Sequence, residues 1–175
     1  MDIREFVART YRYKKQETPE VLQRATIWSF DPGVHTGIAM VTGLFFAESC
    51  TVHSLDELKL FLGHKLLGGH NASPFQTCNP QFVVCENFQV QGRSQYILGT
   101  DNPSSRTIGF LYGLCTSRGI PFVLQQPGSG RRLITRDVCR TLEVELKTEH
   151  ELSAFQHLMY FLLFAKPNVL KGELK

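Results

Sequence analysis

Residues 26–41 have the sequence TIWSFDPGVHTGIAMV, in which an Asp-Pro-Gly turn separates two apolar runs. A third apolar run, at residues 44–47, follows directly after Gly43. No helix fits between runs spaced this closely, and strands joined by such tight turns pair antiparallel. The segment therefore predicts three adjacent antiparallel strands, at residues 27–30, 37–42 and 44–47.

The remainder of the chain alternates between helical and strand patterns. Two of the helices begin with a capping box, a hydroxyl residue followed three positions later by glutamate, at Ser54 and at Thr148. Apolar periodicity, with glycine or proline at the boundaries, predicts helices at 54–66, 103–118, 131–143 and 148–165 and strands at 82–85 and 121–124. This order predicts an α/β fold: a mixed five-stranded sheet with its first three strands antiparallel, flanked by helices.

A chain of 175 residues suits one compact domain and leaves little room for a second. We expect a basic N-terminal extension at residues 1–25, a single domain at 26–166 and a C-terminal tail at 167–175. The extension is interpreted either as a short helix laid onto the domain, in contact with a phosphate backbone, or as a solvated charged arm. The net charge of +3 neither requires nor excludes a polyanionic partner.

The cysteines and the apolar segments bear on the cellular setting. The five cysteines contain no Cys-x-x-Cys pair, which is typical of free thiols in a reducing compartment. The first 15 residues have no apolar signal core, and the longest apolar run, at residues 158–165, is far too short to span a bilayer. We therefore expect a cytoplasmic protein with no membrane contact.

Two acidic residues stand directly after apolar strands. Asp31 follows the first predicted strand and Glu86 the fourth, and such positions lie at the rim of a sheet, where open α/β folds bind ligands. If the two strands are neighbours, the carboxylates converge, and a hard divalent cation is the simplest way to neutralise them. The pair predicts a site for a hard divalent metal ion. The alternative is that each acid only caps its strand in a turn.

Four segments carry a resemblance to a known family: DPGVHTG at 31–37, VVCEN at 83–87, QQPGSGRR at 125–132 and TEHELSAFQH at 148–157. They occur in the order found in RuvC-type Holliday junction resolvases of the ribonuclease H-like superfamily, and they are most similar to phage-encoded versions. The resemblance spans residues 26–165. It implies a ribonuclease H-like fold, one or two Mg²⁺ or Mn²⁺ ions per subunit, and a homodimer that cuts four-way DNA junctions to leave 5′-phosphate and 3′-hydroxyl ends.

The resemblance also implies which residues hold the metal. Asp31 and Glu86 match the first two acids of the family. The last helix of the family supplies an acid or histidine and, three residues later, an aspartate, and the matching residues here are His150 and Ser153. The final aspartate is therefore absent, and Glu149 is the nearest substitute carboxylate.

The last helix also has a polar face of its own. His150, Ser153, Ala154 and His157 recur at helical spacing and share that face, where the small residues allow a close approach to the sheet. His157 is interpreted as a hydrogen-bonded core histidine or as a residue that supports a metal ligand. Supporting positions in the second coordination sphere are expected at Thr36, Ser153 and His157.

Arginines are concentrated after the fourth strand. Those at 132, 136 and 140 recur every four residues and predict a stripe along one helix face, which is either a solvated face or a contact surface for phosphates. A polar loop at 89–102 contains a further arginine and an aromatic residue. The expected DNA contacts are Arg93, Arg106, Arg131, Arg132, Arg136 and Arg140.

Three functions are compatible with these features. The first is a metal-dependent endonuclease that resolves branched DNA as a homodimer, with the helix at 103–118 as its dimer surface. The second is a protein that binds branched DNA with weakened chemistry, which the serine at position 153 motivates. The third is an actin-like kinase or ATPase, a class that needs two such domains around its nucleotide.

Overall fold

The structure, a computed structural model, describes residues 1–67, 79–87 and 102–170, apart from the side chains at 67, 167 and 168. Most of the predicted loop at 89–102, including Arg93, lies outside the described residues. Within them, the chain forms a single five-stranded sheet with helices on both faces.

The sheet has the strand order β3-β2-β1-β4-β5. Its first three strands are antiparallel, whereas β4 pairs parallel with β1 and β5 pairs parallel with β4. The predicted mixed sheet is therefore confirmed. The strands are β1 (Thr26–Asp31), β2 (Thr36–Thr42), β3 (Phe45–Val52), β4 (Phe82–Glu86) and β5 (Phe122–Gln125).

Helices cover the two faces of the sheet, and their bounds follow the capping signals. Asn102 caps α4 through its side chain, and Thr148 caps α6, where its hydroxyl accepts the backbone N–H of Glu151. The helices are α1 (Ile3–Tyr13), α2 (Glu20–Arg24), α3 (Leu55–Leu67), α4 (Pro103–Ser117), α5 (Arg136–Thr141), α6 (Glu149–Phe164) and α7 (Pro167–Leu170).

Alternation along β1 divides the core into two layers. Ile27 packs on the face that α1 and α6 cover, whereas Trp28 and Phe30 pack on the face that α3 and α4 cover. Because successive side chains of a strand point to opposite faces, Asp31 lies on the same side as Ile27. The same reasoning places Glu86, at the end of β4, under α6.

The first helix is an integral part of the packed structure. Ile3, Val7 and Tyr11 recur at helical spacing and are buried in the same cluster as α6. The Tyr11 hydroxyl donates to the carbonyl oxygen of Leu162 at 3.0 Å, and Lys14 donates to that of Leu163 at 2.6 Å. Residues 3–13 are therefore not a solvated arm. The division of the chain at residue 25 stays a prediction.

The predicted helix at 131–143 is wrong over its first half. Only α5 is helical there, and residues 127–133 form a series of turns. Gly128 and Gly130 have positive φ angles of 73° and 83°, and a Cβ on Gly130 would overlap the backbone of Gln156. These constraints delay the helix until Thr135 caps it. As a result, Arg132 lies on a turn, and the predicted stripe of three arginines on one helix does not form.

The cysteines of the described residues are free thiols, as the sequence predicts. Burial raises the pKa of Cys50 to about 11 and that of Cys115 to about 12, which keeps both thiols protonated and unreactive near neutral pH. In the same ranges, no helix is long and apolar enough to cross a membrane.

Candidate active site

The two strand-end acids meet at one edge of the sheet. Phe30 and Cys85 are partners in the parallel register of β1 and β4, so the next residues, Asp31 and Glu86, end the two strands side by side. The two carboxyl groups are close enough that each shifts the pKa of the other. Only 17% of the Asp31 side chain and 16% of the Glu86 side chain are exposed. We call Asp31 and Glu86 the carboxylate pair.

The environment separates the pKa values of the two acids. Burial, reinforced by the neighbouring Glu86, raises the pKa of Asp31 to about 6 against the opposing effect of His150. Burial also acts on Glu86, but its contacts with His157, Asp31 and Ser153 outweigh this and lower its pKa to about 2. Between these two values the carboxylate pair holds one proton. Above pH 6 it carries two adjacent negative charges, which favours the binding of a cation.

Helix α6 supplies a polar partner to each acid. His150 Nδ1 lies 2.9 Å from Asp31 Oδ2, and the Ser153 hydroxyl donates to Glu86 Oε2 at 3.2 Å. The first turn of α6 comes this close because the strand opposite has no side chain there: a Cβ on Gly37 would overlap the backbone of His150. The structure thus brings His150 and Ser153 onto the carboxylate pair.

One turn further along α6, His157 reaches the same site from the core. Its side chain is 1% exposed, and its Nδ1 lies 2.8 Å from Gln125 Oε1. Its Nε2 lies 3.2 Å from Glu86 Oε2 without the alignment of a hydrogen bond, and has no hydrogen-bond partner among the described residues. His157 is therefore both a hydrogen-bonded core residue and a neighbour of Glu86.

Sequence reasoning missed Gln125 as a site residue. It is buried at the end of β5, in register with Glu86, and its backbone carbonyl accepts the N–H of Asn87 at 2.7 Å. The available signal was its position: Gln125 ends the third parallel-paired strand at the edge where Asp31 and Glu86 end theirs.

In the described residues, the remaining predicted site residues on α6 and β2 make no hydrogen bond or ion pair with the carboxylate pair. Glu149 is 77% exposed, and its ion-pair partner in the described part of the chain is Arg136. Thr36 is buried where β2 begins. Glu151, the glutamate of the capping box at Thr148, is buried and accepts from the Ser49 hydroxyl at 2.8 Å and the Lys147 backbone N–H at 3.0 Å.

The predicted DNA-contact arginines have different surroundings. Arg136 pairs with Glu149, and Arg140 pairs with Asp137 at 2.9 Å, so the charges of both are partly neutralised. Arg131 and Arg132 are exposed on the turn that follows β5. Arg106 is exposed on α4.

The donor atoms at the carboxylate pair suit a hard divalent cation. Within the described ranges, no three His, Cys, Asp or Glu side chains are gathered as a metal cluster. Mg²⁺, however, is commonly held by one or two carboxylates and completes its octahedron with water and substrate phosphate. Asp31 and Glu86 meet that requirement, so the residues present fit such an ion.

Comparison with known proteins locates the fold. No protein-family model and no curated protein matches the sequence. The chain is similar to the structure of Thermus thermophilus RuvC in complex with a Holliday junction substrate, with a TM-score of 0.57 and 16% identity over 81% of this chain and 95% of that one. A second structure of Thermus thermophilus RuvC gives a TM-score of 0.53 and 14% identity over 80% and 95%. The chain therefore has the ribonuclease H-like fold of RuvC, and its phage origin stays a prediction.

Proposed function

We propose that this protein is a metal-dependent endonuclease that cuts four-way or other branched DNA junctions and leaves 5′-phosphate and 3′-hydroxyl ends. The observation that carries the proposal is the placement of Asp31 and Glu86 side by side at the carboxyl ends of two parallel strands, where each shifts the pKa of the other. The similarity in fold to a RuvC that was solved with a Holliday junction substrate supports the choice of substrate.

Each residue around the carboxylate pair has a proposed task. Asp31 and Glu86 would hold one or two Mg²⁺ or Mn²⁺ ions, and such ions would supply activation of water and stabilisation of the charge that develops on the phosphodiester. His150 orients Asp31 through its Nδ1, and Ser153 orients Glu86 through its hydroxyl. Both partners stand on α6, so the helix sets the relative orientation of the two acids.

The turn after β5 is the proposed DNA-backbone contact. β5 ends at the same edge of the sheet as β4, so the turn beginning at Gln126 starts beside the carboxylate pair. Arg131 and Arg132 are exposed on this turn, and guanidinium groups bind phosphates in a bidentate manner. Their removal is expected to weaken binding to junctions of any sequence.

A homodimer is part of the proposal. Cutting a four-way junction symmetrically requires two sites related by a two-fold axis. Helix α4 is the proposed dimer surface, because it covers the opposite face of the sheet from α6 and exposes the large side chain of Tyr112.

The test is cleavage of a synthetic four-way junction in Mg²⁺ or Mn²⁺, with a linear duplex of the same sequence as the substrate control. The wild-type protein should cut the junction, and Asp31→Asn and Glu86→Gln should abolish cutting while preserving the fold. Asp137→Asn is the matched control, since Asp137 is an exposed acid that pairs with Arg140. Cleavage by both site variants at the wild-type rate would show that the assigned site is wrong.

A second function is favoured by one observation, the hydroxyl of Ser153 against Glu86 where the family resemblance calls for a carboxylate. With one acid fewer, the same fold serves as a protein that binds branched DNA without cutting it. Tight junction binding with no nicking in either metal supports this alternative. Ser153→Asp should then confer cleavage, because it supplies the missing oxygen ligand.

A further inference from the structure

We propose that Nε2 of His157 is a ligand for a divalent cation that it shares with Glu86, in place of the carboxylate that α6 lacks at Ser153. The proposal deepens the metal site on which the proposed function rests. It concerns the buried side of that site, where no metal ligand is expected from the sequence.

The first argument is the orphaned ring nitrogen. His157 is almost completely buried, and among the described residues its Nε2 has no hydrogen-bond partner. A buried polar atom that lacks a partner destabilises the folded state. Native proteins satisfy nearly all such atoms, and this one lies 3.2 Å from a carboxylate oxygen of Glu86, so a cation that both atoms can bind is a partner that fits.

The second argument is the fixed orientation of the ring. A carboxamide oxygen only accepts, so His157 Nδ1 carries the proton that it donates to Gln125 Oε1 at 2.8 Å. The ring lowers the pKa of Glu86 only while Nε2 carries a proton, and a bound ion would take the place of that proton, because the lone pair of Nε2 then faces Glu86. Histidines that bind metals have this arrangement: one nitrogen donates to an oxygen, and the other is left for the ion.

Gln125 can impose this orientation because it is itself held. Its side chain is buried, and the backbone of β5 anchors it in register with Glu86. The hydrogen bond from Asn87 N–H to the Gln125 carbonyl ties the end of β5 to the residue that follows Glu86. Gln125 is therefore the positioning residue and His157 the ligand.

The third argument is a distance. Nε2 of His157 and Oε2 of Glu86 are 3.2 Å apart but not aligned as a hydrogen bond. Two ligand atoms bound to one ion at about 2.1 Å stand about 3.0 Å apart in octahedral geometry and about 3.4 Å apart in tetrahedral geometry. The observed separation lies between these values, so the two atoms are spaced to share an ion.

A nitrogen ligand changes which ion the site prefers. Imidazole favours transition-metal ions, whereas Mg²⁺ prefers oxygen donors. The site should therefore bind Mn²⁺ more tightly than Mg²⁺, and removal of the His157 ring should weaken Mn²⁺ binding by at least about 10–100-fold.

The experiment measures binding of Mn²⁺ alone to the full chain, without DNA. Calorimetry gives the affinity, and pulsed electron paramagnetic resonance detects nitrogen bound to the ion. His150 also brings a nitrogen near Asp31, so both measurements start from His150→Gln. In that background, nitrogen coupling should persist, and adding His157→Gln should abolish it and weaken Mn²⁺ binding. His64→Gln, an exposed histidine on α3, is the matched control and should change neither.

A second variant covers the case in which His157→Gln does not fold. Gln125→Leu keeps the imidazole and removes only the partner of Nδ1, so Mn²⁺ should bind about tenfold more weakly while nitrogen coupling decreases. Circular dichroism and thermal unfolding establish that each variant is folded. Unchanged Mn²⁺ affinity and unchanged nitrogen coupling in the folded variants would overturn the proposal, and would indicate instead a doubly protonated ring paired with Glu86.

The two proposals fail in different ways. Nitrogen coordination by His157 without junction cleavage would support the ligand and contradict the nuclease. Cleavage that depends on Asp31 and Glu86, with Mn²⁺ binding indifferent to His157→Gln, would support the nuclease and contradict the ligand.

Discussion

Gly37 on β2 and His150 on α6 are in backbone contact so close that a Cβ atom on Gly37 would overlap the carbonyl group of His150. The missing side chain of Gly37 leaves room for the helix. It lets the first turn of α6 descend to the level of Asp31, where His150 contacts the carboxyl group.

Gly37→Ala should therefore destabilise the fold and disturb the site together. Overpacking of this kind typically costs about 1–3 kcal/mol in the free energy of unfolding, because helix and strand must separate. The measurement is chemical denaturation, accompanied by the affinity for Mn²⁺. Gly63→Ala is the matched control, since Gly63 lies within α3 with open space around its Cα and should gain about 0.5–1 kcal/mol. Equal stability of the two variants would contradict the packing argument.

Asp31→Asn should stabilise the metal-free protein at neutral pH while abolishing cleavage. The pKa of Asp31 rises from 3.8 to about 6 on folding, so the folded state binds its proton more tightly. The contribution of this group to stability is present below pH 3.8 and is lost as the pH rises to about 6. Asp31→Asn has no charge to bury, so it should avoid this loss of unfolding free energy, which is on the order of 3 kcal/mol at pH 7.

The pH profile separates this effect from others. Glu86 acts in the opposite sense: its pKa falls from 4.5 to about 2 on folding, so its contribution is present above pH 4.5 and is lost as the pH falls to about 2. The difference in unfolding free energy between Asp31→Asn and wild type should therefore grow from pH 4 to pH 6 and then level off. Mg²⁺ at pH 7 should raise the melting temperature of the wild type but not of the variant. A difference that is constant with pH would contradict the raised pKa.

A buried serine on β1 and a half-buried serine on β3 should respond oppositely to the same substitution. The Ser29 hydroxyl, within β1, has no hydrogen-bond partner among the described residues, so Ser29→Ala should raise the free energy of unfolding by about 1 kcal/mol. The Ser49 hydroxyl donates to the buried carboxylate of Glu151 at 2.8 Å, so Ser49→Ala should lower it by about 1–3 kcal/mol. Thermal and chemical denaturation measure both changes. A loss of stability in Ser29→Ala would mean that this hydroxyl has a partner in solution.

Helix α1 should separate into a structural face and a charged face. Val7 is fully buried against the layer that contains α6, so Val7→Ala should cost about 2 kcal/mol of stability. Arg12 is exposed on the other side, so Arg12→Ala should change stability by less than about 0.5 kcal/mol. If α1 also contacts a phosphate backbone, Arg12→Ala should weaken junction binding and reduce its salt dependence. A weaker effect of Val7→Ala than of Arg12→Ala on unfolding would contradict this division.

Local signals were sufficient for most elements of the fold. The apolar runs around Asp31 predicted the antiparallel strands, and the capping residue Thr148 predicted the start of α6 within one residue. Prediction from local signals failed where a contact between residues distant in the sequence overrides a local pattern. The arginine spacing after residue 131 is helical, but Gly130 is packed against the backbone of Gln156, which keeps that segment in turns.

The site was predictable to the extent that strand ends define it. Asp31 and Glu86 follow apolar runs, and parallel pairing of β1 and β4 was enough to bring them together. The contact between Gln125 and His157 was not predictable, because it joins β5 to α6 across 32 residues. It depends on how far along the strands α6 is placed when it packs on the sheet. Glu149 was predicted as a ligand because it is next to His150 in the sequence. Neighbouring side chains of a helix point about 100° apart, however, and the Glu149 side chain pairs with Arg136 instead.

The sixteen residues of α6 include both core residues and site residues: Phe155 and Leu158 fill the core, while Ser153 and His157 contact Glu86. Evolvability is restricted as a consequence: a change that retunes the chemistry from this helix also strains the packing that keeps the chain folded. Laboratory selection for altered cleavage should therefore find its mutations in the glycine-rich turn at 127–133, because the exposed positions of this turn do not also pack in the core.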